Sequence, residues 1–280
     1  AEEMEGVPHH MIAVADPAEQ WSAARYARAA VPIVDDILRR GKRPILVGGT
    51  GLWLDAVVQG RTFAGGHAGG AVRRELQAQL AREGIGPLLE ELRQVDPEAA
   101  ERLHPADEKR ILRALEVYRE TGKTISAHNA ETRDLPPRYD AVWIGLQFRD
   151  RADMKTLIDR RVDAMMAAGL PEETRRLRAA GVFDLCPTAE VGQLLESGLP
   201  REATALQAIG YKEFLGVLDG TATVEEAVAE VKLRSRQYAK RQLTWLRRNS
   251  DIHWIWWEKD RDFARALQVS TEILAAAGVF

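Results

Sequence analysis

An α/β core carrying helical additions is the fold that the sequence predicts, and three observations carry it. Short apolar runs at Arg43 to Val47, Ala141 to Phe148 and Ile252 to Trp256 stand among much longer stretches of helical periodicity. The first run passes through Gly48-Gly49-Thr50-Gly51 into an apolar helix, Leu52 to Gln59. From Ala71 to Ser126 the pattern is helical almost throughout. Few strands among many helices place a parallel sheet at the centre with helices around it. We divide the chain into a first part of the core at 1–60, a helical insertion at 61–138, and a second part of the core with C-terminal helices at 139–280.

The chain opens on AEEMEGVPHHMIAVADP, acidic and turn-rich with neither an initiator Met nor a strand pattern, and reads as a cut end. Asp16-Pro17 precedes a helical pattern that runs through Arg40 and closes at Gly41. Arg43 to Val47 reads as a buried parallel strand, since such strands are apolar on both faces. A strand, a glycine-rich turn and a helix in succession aim backbone N–H groups at an anion. Glycines also serve tight turns with nothing bound, so this signal is weak alone. Residues 61–70, RTFAGGHAGG, form a flexible connector. Asp96-Pro97 and His104-Pro105 punctuate the helical block, and Asp107 starts a helix that Gly122 ends. After the strand at Ala141 to Phe148, helices dominate to about Arg248, followed by a last strand at Ile252 to Trp256 and a closing helix at Asp260 to Ala276.

With 280 residues and 45% hydrophobic content, the chain can build a substantial core. Its longest apolar runs, Ala29 to Val34 and Ala275 to Phe280, fall far short of a membrane span, and no secretory pattern is present. A soluble, cytoplasmic protein without a membrane partner is expected. The single Cys186 excludes an internal disulfide and a thiolate zinc site, and reads as a small buried or half-buried side chain. Adjacent His9 and His10 point in different directions with nothing nearby to complete a ligand set. They predict a structural or substrate-proximal role, and no metal-ligating residues are assigned.

Positive charge is gathered in one place. Lys232 to Arg248, KLRSRQYAKRQLTWLRR, holds seven Lys or Arg and no acid in a chain of net charge -3. At about 100° per residue, Lys232, Arg234, Arg236, Lys240, Arg241, Arg247 and Arg248 spread over one broad arc. Tyr238, Ala239, Trp245 and Leu246 fill the opposite, packing arc. Such a surface suits a nucleic-acid backbone, but also a membrane surface, an acidic partner or plain solvent. Arg161 lies between Leu157 and Met165 on the apolar face of a helix from Asp153 to Ala168, where it pairs with a buried carboxylate or reaches a phosphate. Met154, Met165 and Met166 read as core. Thr121-Gly122-Lys123-Thr124 imitates the end of a phosphate-binding loop, but Val117 stands where that motif needs glycine, so the segment reads as a helix cap.

Taken together, Val7-Pro8-His9-His10, Asp16-Pro17, LVGGTGLWLDAVV (46–58), DPEAAERLHPAD (96–107), RILRALEVYRETGKTIS (110–126), RRVDAMMAAGL (160–170), QAIGYKE (207–213) and RSRQYAKRQLTWLRR (234–248) resemble the tRNA dimethylallyltransferase family over nearly the whole chain. The resemblance implies a P-loop, nucleotide-kinase-like α/β core with a helical insertion that grips the anticodon stem-loop. It implies transfer of a dimethylallyl group from dimethylallyl diphosphate to N6 of the adenosine 3′ of the anticodon, with Mg²⁺ and release of diphosphate. By the same resemblance Thr50 is at the reaction centre and contacts the adenosine, Arg161 serves the diphosphate, and Gly48 and Gly49 belong to the phosphate-side turn. Contacts to tRNA are implied for Arg73, for Lys109, Arg110 and Arg113, and for Gln207, Ile209, Gly210, Tyr211 and Lys212. Lys240, Arg241, Gln242, Thr244, Trp245 and Arg247 complete that set. A monomer is expected.

Two local departures stand out: Ala106 where the family has Asn in a His-Pro-Asn-Asp turn, and Trp53 where its GGTGLYL pattern has Tyr. The family's P-loop, first helix and general-base Asp would all precede Ala1, so one or two supersecondary units of about thirty residues each are expected to be absent. On that expectation the 280-residue chain binds tRNA without catalysing transfer. Two rivals stand beside this reading: an enzyme that prenylates free adenine nucleotides, and a nonenzymatic RNA-binding remnant.

Overall fold

The structure is a computed structural model that describes residues 4–65, 70–133, 135–169, 187–201 and 203–279. Residues 66–69 of the expected connector, Leu170, Cys186 and Phe280 lie outside the described residues. Two compact units divide the chain: residues 1–21, 45–51 and 141–280 form one, and residues 22–44 and 52–140 the other. The second unit thus includes residues 22–44 and 52–60, which the sequence reading grouped with the core.

That second unit is helical. Helix α1 (Ala23–Arg39) begins later than Asp16-Pro17 suggests, because Ser22 in extended backbone accepts from the Arg25 N–H at 3.2 Å and caps it there. Asp16 instead closes a separate turn by accepting from the Ala18 N–H at 2.8 Å. Helix α2 (Gly51–Val58) takes its first residue from the other unit. Helices α3 (Ala71–Glu83), α4 (Ile85–Val95), α5 (Pro97–Arg102), α6 (Glu108–Thr121) and α7 (Ile125–Arg133) form the expected helical block. Leu76 of α3, Leu88 and Leu92 of α4, and Ile111 and Leu115 of α6 are fully buried together, each pair at the four-residue spacing that stacks side chains on one helix face. Gly122 closes α6 in left-handed backbone, donating its N–H to the Tyr118 carbonyl at 2.8 Å, so Thr121 to Thr124 is a helix cap as its sequence context requires.

One carboxylate ties two helix starts together. Buried Asp96 accepts from the Ala99 N–H of α5 at 3.1 Å and from the Ser126 N–H of α7 at 3.0 Å. Losing it removes a cap and strands a buried donor. Asp96→Ala is expected to lower unfolding free energy by about 2–3 kcal/mol in urea titration, and Asp96→Asn, which keeps one acceptor oxygen, by less.

Tyr139 closes this unit. Its N–H donates to the Val58 carbonyl at 3.2 Å and its hydroxyl to Asp35 Oδ1 at 2.6 Å. Desolvation, reinforced by the Asp35 hydrogen bond, pushes the phenol up to about 12 from its usual 10.0. A phenol that ionises less readily when folded contributes stability fully present below pH 10 and lost as pH rises towards 12. The stability difference between the wild type and Tyr139→Phe should therefore be constant from pH 7 to 9 and shrink across that window in thermal melts.

In the other unit, β1 (Trp143–Phe148) and β2 (Ile252–Trp257) pair in parallel, Trp143 opposite Ile252 through Phe148 opposite Trp257. Helices α8 (Arg151–Gly169), α9 (Pro187–Glu196), α10 (Leu215–Leu218), α11 (Val224–Leu246) and α12 (Phe263–Ala276) accompany them, with single 3₁₀ turns at Thr204–Gln207 and Lys212–Phe214. A capping box starts α11: Thr223 Oγ1 accepts from the Glu226 N–H at 3.2 Å, and Glu226 accepts from the Thr223 N–H at 2.8 Å. Val162 and Met166 of α8 pack on Phe214 and on Ala227 and Val231 of α11.

Two expectations fail here. Arg43 to Val47 is not part of either described strand, and Ile45 is 83% and Val47 91% exposed. An apolar run becomes a buried strand only between neighbours, and among the described residues only β1 and β2 pair. Arg161 and Met165 are exposed rather than core-facing, because the buried stripe of α8 runs one residue over, through Val162 and Met166. Met154 is half-buried.

Candidate functional site

The glycine-rich turn lies directly on α11. Tyr238, Gln242 and Trp245, spaced by four and three residues, share one stripe of that helix, and the turn meets all three. Thr50 Oγ1 stands 2.9 Å from the Tyr238 hydroxyl. A Cβ on Gly49 would lie 1.7 Å from Gln242 Nε2, and one on Gly51 would lie 1.9 Å from Trp245 Cδ1. Neither glycine has positive φ. Space, rather than backbone freedom, demands glycine at both positions. Gly48 faces open space. The two clashes differ in severity, since the Gln242 amide ends a flexible chain whereas the indole is rigid. Gly51→Ala is expected to cost about 1–3 kcal/mol in denaturant titration, and Gly49→Ala distinctly less.

This contact revises the packing arc of α11. Tyr238 is 36% exposed and Trp245 half-buried, and both cover the turn instead of filling a core. The cationic arc also divides. Lys232 pairs with Asp163 and Arg236 with Asp159, both at 2.5 Å and both on α8, while Arg234 pairs with Glu230 at 2.6 Å within α11. The first two pairs fasten α11 to α8, and the third lies within α11 itself. Towards the C-terminal end, Lys240, Arg241, Arg247 and Arg248 are exposed. The guanidinium of Arg241 lies 5.8 Å over the Tyr238 ring and that of Arg248 5.1 Å over the Trp245 ring. Arg247 donates to Gln147 Oε1 at 3.0 Å, and the Thr244 hydroxyl donates to the Lys240 carbonyl at 2.9 Å. Exposed cations and the turn therefore occupy neighbouring faces of one helix.

Residues 1–249 match the IPP transferase family. The chain belongs to that family. It is 43% identical over 254 residues to the tRNA dimethylallyltransferase of Symbiobacterium thermophilum, covering 91% of this chain and 73% of that protein. Among solved structures it is similar to the full-length tRNA isopentenylpyrophosphate transferase of Bacillus halodurans, with TM-score 0.64 and 35% identity over 99% of this chain and 80% of that one. It also resembles a eukaryotic dimethylallyltransferase acting on tRNA, with TM-score 0.72 and 26% identity over 98% of this chain and 67% of that one.

In this IPP transferase the remaining sequence-nominated residues fall into distinct settings. In the helical unit, Arg113 donates to buried Glu116 at 2.9 Å and to the Ala64 carbonyl at 2.7 Å, and Arg73 stands 3.7 Å from the same carboxylate. Arg73 and Arg113 are thus held together. On the same helix as Arg113, Lys109 is exposed and Arg110 stands 3.3 Å from Asp107. In the other unit, Ile209 and Tyr211 are packed against buried clusters, and Gly210, at φ +100, donates its N–H to Glu213 at 2.8 Å. Gln207 donates to the Arg201 carbonyl at 3.3 Å, and Lys212 is exposed. Arg161 is exposed on α8, whose carboxylates Asp159 and Asp163 pair with Arg236 and Lys232 instead. Exposed His9 places Nδ1 2.8 Å from the Val7 carbonyl. Tyr238 is the side chain that sequence reading left out of the site. Its spacing to Gln242 and Trp245 was the available signal, since it puts all three on one stripe.

Proposed function

We propose that this protein transfers a dimethylallyl group from dimethylallyl diphosphate to N6 of the adenosine 3′ of the anticodon in tRNA, acting as a monomer. Alongside family membership, the supporting observation is α11, which carries exposed cations on one face and the Thr50 turn on the next. Chemistry at a base edge requires the base to leave the stack while the backbone is held outside. Lys240, Arg241 and Arg247 suit the backbone, and the Thr50 hydroxyl suits the extruded base. The amine nitrogen forms the new bond to the allylic carbon, the bond from that carbon to the diphosphate oxygen breaks, and the nitrogen then gives up a proton to water. Negative charge grows on the departing diphosphate, for which exposed Arg161 is a cation on this chain. Gly48 and Gly49 would offer backbone N–H groups of the turn to the same diphosphate.

Among the described residues, no group of three or more His, Cys, Asp or Glu is arranged to hold a metal ion. Mg²⁺ is commonly held by one or two carboxylates together with substrate phosphates, so it would enter on the diphosphate oxygens. When bound it would neutralise charge on that group. Free nucleotides would not require an exposed cationic stripe, and no described helix is long and apolar enough to cross a membrane.

The division of the cations supplies the test. Lys240→Ala and Arg241→Ala should each weaken binding to an unmodified anticodon stem-loop and reduce the slope of log affinity against log salt by about 0.7–0.9. Arg234→Ala, at a site already paired with Glu230, should leave that slope close to wild type. Fluorescence anisotropy across a salt series reads all three, and an unchanged slope in the first two variants would make these cations merely solvated.

A further inference from the structure

We infer that Tyr238 is a positioning residue for the Thr50 hydroxyl, and that it thereby contributes to recognition of the 6-amino group of the target base. The inference rests on the reading of Thr50 given above and deepens it. A threonine hydroxyl has one proton to donate and two lone pairs that accept. An exocyclic amine presents N–H donors, so Thr50 serves it only as an acceptor. For that, the Thr50 proton must be directed elsewhere. The Tyr238 oxygen stands 2.9 Å away; either hydroxyl can donate across this contact, and the direction that serves an amine has Thr50 donating and Tyr238 accepting. With the proton committed to Tyr238, the remaining lone pairs of Thr50 Oγ1 are available to N6–H. Without that acceptor the hydroxyl rotates among its staggered positions and presents its proton to the amine in some of them.

The surrounding geometry keeps the pair in register. Gly51 against the Trp245 indole and Gly49 against the Gln242 amide bring the turn close to α11 on both sides of Thr50. The Tyr238 ring also lies beneath the Arg241 guanidinium at 5.8 Å. Tyr238→Phe preserves that ring contact while removing only the hydroxyl. The variant therefore isolates the hydrogen bond from the backbone contacts of the cationic face.

The experiment compares two anticodon stem-loops, one with adenosine at the target position and one with purine riboside, which lacks the 6-amino group. Binding is measured by anisotropy for the wild type, Tyr238→Phe and Thr50→Val, with thermal melts to confirm folding. The wild type is expected to favour adenosine, and Tyr238→Phe to compress that preference by about three- to tenfold while binding the purine riboside loop as before. In the Thr50→Val background, adding Tyr238→Phe should change nothing further. A wild-type preference that Tyr238→Phe preserves would overturn the Tyr238 inference alone. Equal wild-type affinity for both loops would remove the Thr50 reading on which it rests. Equal weakening for both loops in Tyr238→Phe would make the tyrosine a general packing group and likewise overturn it.

Discussion

The approach of a backbone turn to a helix, closer than any side chain permits, sets the rest of this structure. Gly49 and Gly51 bring residues 48–51 down onto Tyr238, Gln242 and Trp245, and Thr50 arrives at the Tyr238 hydroxyl as a result. The helix that receives the turn must itself be held. Its start is fixed by the reciprocal bonds between Thr223 and Glu226, its first half by Ala227 and Val231 in the α8 cluster, and its middle by ion pairs to Asp159 and Asp163. Beyond those fastenings its cations are exposed.

Charge is used in two ways along a single stretch of sequence. Partly buried pairs with α8 forfeit solvation and give orientation in return, whereas exposed Lys240, Arg241 and Arg247 keep their field available to a ligand. The helical unit repeats the first pattern at Glu116. That buried carboxylate is compensated by two arginines at once, which holds Arg73 and Arg113 as a pair instead of leaving two independent flexible side chains.

What the sequence could show followed from the range of each interaction. Caps and periodicities are local, so the helix ending at Gly122, the helical block from Ala71 and the strands now seen at Trp143–Phe148 and Ile252–Trp257 were all readable from neighbouring residues. Partners far along the chain were not. Nothing near Lys232 or Arg236 announces that carboxylates some seventy residues earlier will neutralise them. Arg161 was misplaced because α8 carries two adjacent apolar stripes, Leu157 with Met165 and Val162 with Met166, and only packing chooses between them. Arg43 to Val47 was misread for the reverse reason: its composition describes a strand, but pairing is a property of its neighbours. Family motifs nominated Thr50, Gln242 and Trp245 separately, and only coordinates show them as one assembly with Tyr238.

The fit between Gly51 and Trp245 also limits how this surface can be redesigned. A side chain at position 51 has no room while an indole occupies position 245, yet a small residue at 245 would vacate the volume that a Cβ at 51 needs. The two positions are therefore coupled despite lying far apart in sequence, and each is misjudged when varied alone. A combinatorial library that alters the turn without altering the helix beneath it would discard workable pairs, because single-site scans would score every first step as a loss.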